Sequence, residues 1–368
     1  MLLTWLVILS VFSILSIRSN AVPTDVKAEV HDLIRKTLLT DQTDDAFFVV
    51  NMDTIHRQIT RWKYYLPRVH FQFAMKANPL PAILELIIAS GGGFDCASMY
   101  EMADVLSRGH PPENIIFAHT VKTIPAIKFA QKYGVKKMVL DAESEIVKIA
   151  KHFPDATPLI RLKVSDIGAT LPLGKKFGTP LHHVPKLLQL AKAHSLNMVG
   201  VAFHVGSNIS DPDLFPQAFN WARQAFDMAE QLGMRFTHLD IGGGFPSAQR
   251  DPAVFEAEAA AINSAIDQYF PNTDPRFEHL QIYSEPGRYF VGEFPLVSRV
   301  IGTKTHEETD ERKQMVFLNE GFHGVFHGIY VRYRIFVTIV DQLSNDYHNS
   351  GISFTNSTGD CRDGPGKA

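Results

Sequence analysis

From Phe47 to about Gly292 the chain alternates short apolar, β-rich runs with longer stretches whose apolar positions recur every three or four residues. Strand side chains alternate between two faces, while a helix returns to the same face each turn, so this alternation predicts an α/β domain. The runs Phe47–Val50, Val69–Met75, Ile115–Ala118, Met138–Leu140, Leu159–Val164, Met198–Val205, His238–Ile241 and Gln281–Ser284 read as strands, with Phe94–Cys96 as a very short extra one. Phe215, Phe219, Ala222, Phe226, Ala229 and Leu232 share one helical face, which predicts a helix over 213–232 packed on a sheet. About eight strand–helix units in about 250 residues fit a (β/α)8 TIM barrel better than an open doubly wound sheet. In such a barrel the functional side chains stand where strands end and the following loops begin.

The N-terminus breaks the pattern. Leu2 to Ile17 is almost wholly apolar, and Arg18-Ser19-Asn20-Ala21 follows it. The run is short for a membrane span, and Ser19 and Ala21 give a small-x-small cleavage pattern, so residues 1–21 read as a secretory signal or a hydrophobic anchor. The chain has 368 residues with 36 Lys plus Arg against 39 Asp plus Glu, a net charge of −3, which argues against nucleic acid as a partner. Two cysteines, Cys96 and Cys361, provide no disulfide framework. Composition thus points to a globular enzyme acting on a small molecule, and no metal-ligand motif stands out.

Several residues at predicted strand ends carry chemistry. Lys76, in Phe73-Ala74-Met75-Lys76-Ala77-Asn78-Pro79, follows an apolar run and precedes a helix. An amine placed there is partly desolvated, which would lower its pKa and free it to attack an aldehyde. Gly242-Gly243-Gly244 follow a strand and would let backbone N–H groups approach a phosphate, or would serve only as a turn. In Ser284-Glu285-Pro286-Gly287-Arg288, Arg288 could pair with that phosphate while Glu285 meets a ring nitrogen. His204 could stack on a flat cofactor, with Ser207 bonding its phosphate. Together these are the parts a pyridoxal 5′-phosphate (PLP) site needs.

The chain resembles the eukaryotic-type ornithine decarboxylases, PLP-dependent enzymes with an alanine-racemase-like barrel. The resemblance runs from about Phe47 to Tyr330. It rests on Phe73-Ala74-Met75-Lys76-Ala77-Asn78, Gly93-Phe94-Asp95-Cys96-Ala97-Ser98, Phe203-His204-Val205-Gly206-Ser207, Asp240-Ile241-Gly242-Gly243-Gly244-Phe245-Pro246, Glu285-Pro286-Gly287-Arg288-Tyr289 and Asn319-Glu320-Gly321. It implies that Lys76 holds PLP as a Schiff base and that His204 stacks on the ring. Ser207, Gly244 and Arg288 would take the phosphate, with Gly243 and Gly287 in the same loops, and Glu285 would bind the pyridinium nitrogen. Asp95, Glu101 and Arg161 match positions near the lysine and cofactor. The implied reaction is decarboxylation of ornithine to putrescine, in a homodimer whose sites need both subunits. Lysine or arginine is an alternative substrate. The main rival reading is a catalytically inactive homologue resembling antizyme inhibitor, which binds antizyme.

The expected organisation is a leader over 1–21, a segment over 22–46, the barrel over 47–292, the start of a C-terminal β-domain over 293–330 and a divergent tail over 331–368. After Tyr330 the resemblance stops, which predicts an incomplete β-domain and a missing substrate half-site. Val331 and Arg332 stand where a Tyr-Asp pair is expected, His323 replaces a usual tyrosine, and the surroundings of Cys361 do not match the family's catalytic cysteine. A splice or gene-model variant is one account of that tail. The family points to the cytosol, the N-terminus to the secretory pathway.

Overall fold

The computed structural model describes residues 5–13, 32–34, 36–37, 45–167, 169, 172–207, 211–247, 252–292, 294–306, 313–321, 324 and 333–339. The chain forms two units, one of residues 52–292 and one of residues 1–51 with 293–368. Along the chain, β1 (Trp5–Ser13) and β2 (Phe47–Phe48) come first. The strands β3 (Val69–Ala74), β4 (Gly93–Cys96), β5 (Ile115–Phe117), β6 (Lys137–Leu140), β7 (Thr157–Arg161), β8 (Gly200–Ala202), β9 (His238–Asp240) and β10 (Gln281–Ser284) follow. Then come β11 (Leu296–His306), β12 (Lys313–Leu318) and β13 (Tyr333–Ile339).

Strands β3 to β10 are parallel and close into an eight-stranded barrel, with β10 pairing β3 through Ile282 opposite Val69. The expected (β/α)8 barrel is therefore present. Its helices are set by local chemistry. Ser98 accepts the Glu101 N–H to start the helix Met99–Ser107, and Thr123 accepts the Ala126 N–H to start Ile124–Tyr133. Gly134, at φ +79°, ends that second helix in the left-handed conformation that glycine adopts without a Cβ penalty. The helix Leu214–Gln231 buries Phe215, Phe219 and Phe226, as its periodicity predicted. Each such ring contributes about 1.5–3 kcal/mol of burial.

One strand differs from expectation. Phe47–Val50 is not a barrel strand: Phe47 and Phe48 pair antiparallel with Val297 and Leu296, and the barrel unit begins at Met52. The eighth place belongs to β4, which the sequence pattern rated only as a very short extra strand. Its four residues are all buried. Gly93 is a glycine because a Cβ there would lie 2.0 Å from Gln72 Oε1 and 2.5 Å from the Asn114 carbonyl oxygen. Glycine and aspartate mask a strand in a propensity reading, since neither favours β structure.

The second unit is an antiparallel sheet in the order β12-β11-β1-β13, with β2 also on β11. The apolar N-terminal run thus supplies a strand: Val7 faces Ser298 on one side and Ile339 on the other. Residues 1–4 and 14–21 of the expected leader lie outside the described residues. Among the described residues no helix is long and apolar enough to cross a membrane. Strands β11 and β12 form the β-domain expected after residue 293, and β13 draws Tyr333–Ile339 from the segment read as an unrelated tail. His323, Val331, Arg332 and Cys361 lie outside the described residues.

Candidate active site

Strand β3 ends at Ala74, and one 3-10 turn, Met75–Ala77, carries Lys76 at the C-terminal mouth of the barrel. Ala74 pairs in register with Asp95 at the end of β4, which brings the Lys76 Nζ to 2.6 Å from Asp95 Oδ2. The Asp95 side chain is fully buried, whereas that of Lys76 is 62% accessible because it opens onto the mouth. Burial among protein atoms acts to lower the lysine's pKa, but Asp95 and then Glu285 outweigh it, and the amine is held above its usual range. The expected lowering is thus corrected. Desolvation was foreseen, while the carboxylates that reverse its effect come from other strands. Glu101, expected near the lysine, accepts the Ala97 N–H at the head of its helix and adds a smaller effect of the same sign.

His204 follows β8. Its Nδ1 accepts the Gly206 N–H at 3.1 Å, so the neutral ring carries its proton on Nε2. Burial first, then the Arg161 and Lys76 charges, pushes the imidazole well below its usual pKa and keeps it neutral. The glycine loop after β9 packs directly on this segment. A Cβ on Gly242 would lie 2.3 Å from the Phe203 carbonyl oxygen, one on Gly243 2.4 Å from that of Glu285, and one on Gly244 2.0 Å from that of Gly206. All three glycines are therefore demanded by close approach of neighbouring strand-end loops, whatever else their N–H groups bind.

The loop after β10 completes the mouth. Glu285 N–H and the Ser284 hydroxyl both donate to the Gly242 carbonyl, at 2.7 Å each, which locks this loop to the glycine loop. Gly287 sits where a Cβ would press on Ala77, which follows Lys76 in the turn, and on Ala74 at the end of β3. Arg288 Nη2 donates to Ser207 Oγ at 3.2 Å, joining two residues 81 positions apart in the sequence. Arg161 ends β7 with its guanidinium 4.7 Å from the Phe177 ring centroid, and its charge acts on both Glu285 and His204. The structure thus gathers Lys76, Asp95, Arg161, His204, Ser207, Gly243, Gly244, Glu285, Gly287 and Arg288 at strand ends of one barrel.

One residue of the site was not singled out in advance. Asp240, the last residue of β9, is fully buried. Its Oδ1 accepts the Gly242 N–H at 2.8 Å, and its carboxylate also shares a hydrogen bond with the Glu285 side chain. Burial raises its pKa to about 6. Glu285 is pushed well above its usual value by burial and then by Asp240 and Asp95, so of this pair Glu285 keeps a proton. The signal available in the sequence was an acid placed just before a strand-end glycine loop.

The donor set suits PLP. An amine for an aldehyde carbon, an arginine–hydroxyl pair for a phosphate, a neutral imidazole to stack on a ring and a buried protonated acid for a ring nitrogen share one mouth, beside an orphaned carboxylate oxygen on Asp95. Residues 52–292 match the pyridoxal-binding domain of the pyridoxal-dependent decarboxylases. The chain belongs to that family. PLP is the cofactor of this domain.

Among relatives, decarboxylase flvG of Aspergillus flavus is 40% identical over 286 residues, covering 77% of this chain and 65% of the relative. Ornithine decarboxylase of Mus pahari is 38% identical, covering 77% and 63%. Antizyme inhibitor 2 of Xenopus laevis is 37% identical, covering 81% and 66%. The chain therefore spans about two thirds or less of the length of these curated relatives. Among solved structures, the arginine decarboxylase of Paramecium bursaria Chlorella virus bound to agmatine superposes with a TM-score of 0.77 at 31% identity, covering 82% of this chain and 79% of the other. SrLDC in complex with PLP and cadaverine gives 0.71 at 34% identity, covering 85% and 76%.

Proposed function

We propose that this protein is a PLP-dependent decarboxylase of a basic amino acid, with L-ornithine as substrate and putrescine as product. The observation that carries the chemistry is the meeting of Lys76 and Asp95 with Glu285 at one barrel mouth, across from the Arg288–Ser207 pair. The ornithine reading rests on relatives such as that of Mus pahari, and the arginine enzyme among the solved structures makes arginine the first competitor.

Bound PLP supplies an electron sink for the charge left on the α-carbon when carbon dioxide departs. The chain's own groups do the rest. Lys76 would supply the amine for the aldehyde carbon once its ammonium has given up a proton, and Asp95, 2.6 Å away, keeps that group aimed and is placed to take the proton. Arg288 and Ser207 fix the phosphate end. Glu285 holds a proton on its carboxyl and can pass it to a ring nitrogen, which leaves a carboxylate to balance the cation formed. His204, neutral and tied by Gly206, offers a flat face against the ring.

The test is visible absorption of the purified protein with PLP, then borohydride reduction and peptide mapping. A reduced adduct on Lys76 is expected, and its absence overturns the reading. Release of carbon dioxide from ornithine, lysine and arginine then ranks the substrates. The second reading, an antizyme-binding regulator, is favoured by the likeness to antizyme inhibitor 2. Antizyme binding with no carbon dioxide release from any of the three amino acids would establish it in place of the enzyme.

A further inference from the structure

The first glycine of the loop after β9 is held more firmly than strand pairing alone requires. Its N–H donates to Asp240 Oδ1 at 2.8 Å, and its carbonyl accepts the Glu285 N–H at 2.7 Å. The second of these bonds continues the pairing of β9 with β10, in which the Ile241 N–H donates to the Tyr283 carbonyl. It would join the two strand ends by itself. A side chain adds a further hold: Ser284 Oγ donates to the same Gly242 carbonyl at 2.7 Å, so both lone pairs of that oxygen are taken.

Ser284 closes β10 and is wholly buried. An apolar side chain would suit such a position for packing, since a buried hydroxyl costs stability unless it is hydrogen-bonded. Among the described residues its hydroxyl has one hydrogen bond, the one to Gly242. What the hydroxyl fixes is therefore the peptide between Gly242 and Gly243.

That peptide has a direction. It is trans, so its N–H points opposite to its carbonyl. With the Gly242 carbonyl drawn toward β10, the Gly243 N–H faces the other neighbour of β9 in the strand order, which is β8. The segment after β8 lies in contact with the loop there: a Cβ on Gly243 would be 3.5 Å from His204 Nε2, and one on Gly244 2.0 Å from the Gly206 carbonyl oxygen. Ser207 comes next in that segment and is the residue that Arg288 Nη2 reaches at 3.2 Å. Among the described residues neither the Gly243 nor the Gly244 N–H donates a hydrogen bond. Unused backbone N–H groups beside a hydroxyl and a guanidinium are the donors a phosphate takes.

We propose that Ser284 is a positioning residue for the phosphate end of the site: its hold on the Gly242 carbonyl keeps the Gly243 N–H turned toward the anion that Arg288 and Ser207 receive. The proposal rests on the PLP reading above only for what carries that phosphate.

Two aldehydes test it. PLP and 5′-deoxypyridoxal, the same aldehyde without its phosphate, are each titrated into the cofactor-free protein and followed by visible absorption. Ser284→Ala removes the hydroxyl and leaves the Glu285 N–H on the Gly242 carbonyl. It should weaken PLP binding about 2- to 13-fold, the worth of one hydrogen bond, and leave 5′-deoxypyridoxal binding unchanged. Ser284→Cys fills nearly the same space with a weak donor and should show the same selective loss, which separates the hydrogen bond from a packing defect. Inorganic phosphate, titrated by phosphorus NMR, should lose affinity in both variants without any part played by Lys76. An equal loss for the two aldehydes, no loss of PLP and phosphate binding in a folded variant, or no phosphate binding by the unmodified protein overturns the proposal. If the unmodified protein forms no adduct with either aldehyde, the functional reading falls, and the phosphate titration still decides this one.

Discussion

Glu258 carries a cost that pH should expose. It lies on the helix Pro252–Tyr269, is 1% exposed, and neither carboxylate oxygen has a hydrogen-bond partner among the described residues. Burial, with no neighbouring charge contributing, pushes its pKa from 4.5 up to about 8. Below pH 4.5 the carboxyl is protonated in folded and unfolded chains alike, and no penalty arises. Between 4.5 and 8 the folded state keeps the proton and the unfolded state loses it, so stability falls as pH rises; above 8 the loss is complete. At about 1.36 kcal/mol per unit, the interval from 4.5 to 7 costs about 3 kcal/mol. Glu258→Gln cannot ionise. Relative to the unmodified protein it should gain about 3 kcal/mol on going from pH 4.5 to 7, equivalent to about 6–12 °C in Tm for a unit of this size. Urea unfolding followed by circular dichroism at pH 4.5, 6, 7 and 8 measures the gain. A stability difference that stays constant across these pH values would refute the reasoning.

Three further outcomes follow from the same geometry. Gly244→Ala forces a Cβ to within 2.0 Å of the Gly206 carbonyl oxygen at φ +107°, so it should cost about 3 kcal/mol or more and abolish PLP uptake; unfolding midpoints and PLP titrations like those of the unmodified protein would contradict this. Asp95→Asn removes the strongest influence holding up the Lys76 pKa, so the pH midpoint of the PLP–lysine absorbance should fall, and an unmoved midpoint counts against the ion pair. A chain starting at Val22 lacks β1, the strand between β11 and β13, so limited proteolysis should cut within 296–339 faster than in the full chain; equal resistance would favour the leader reading of residues 1–21.

Much of the barrel and its rim was legible in sequence. Alternating strand and helix patterns located seven of the strands, and Lys76, His204, the glycine loop and Glu285-Pro286-Gly287-Arg288 all stand at strand ends because the barrel puts loops there. The failures have local causes. Phe47–Val50 has strong β propensity yet pairs outside the barrel, while Gly93–Cys96 has weak propensity and is a barrel strand because it pairs with β3 and β5 on its two sides, with glycine at 93 because its neighbours leave no room for a side chain. Propensity reports what one segment prefers; closure of the sheet decides which segments are used.

The residues that could do the chemistry, and their order along the chain, were thus present in the one-dimensional pattern. Their protonation was not. Lys76 looked like an amine with a lowered pKa until Asp95 and Glu285 arrived from other strands. Charge interactions in a buried site depend on distances between strands far apart in sequence, and those distances exist only once the barrel has closed.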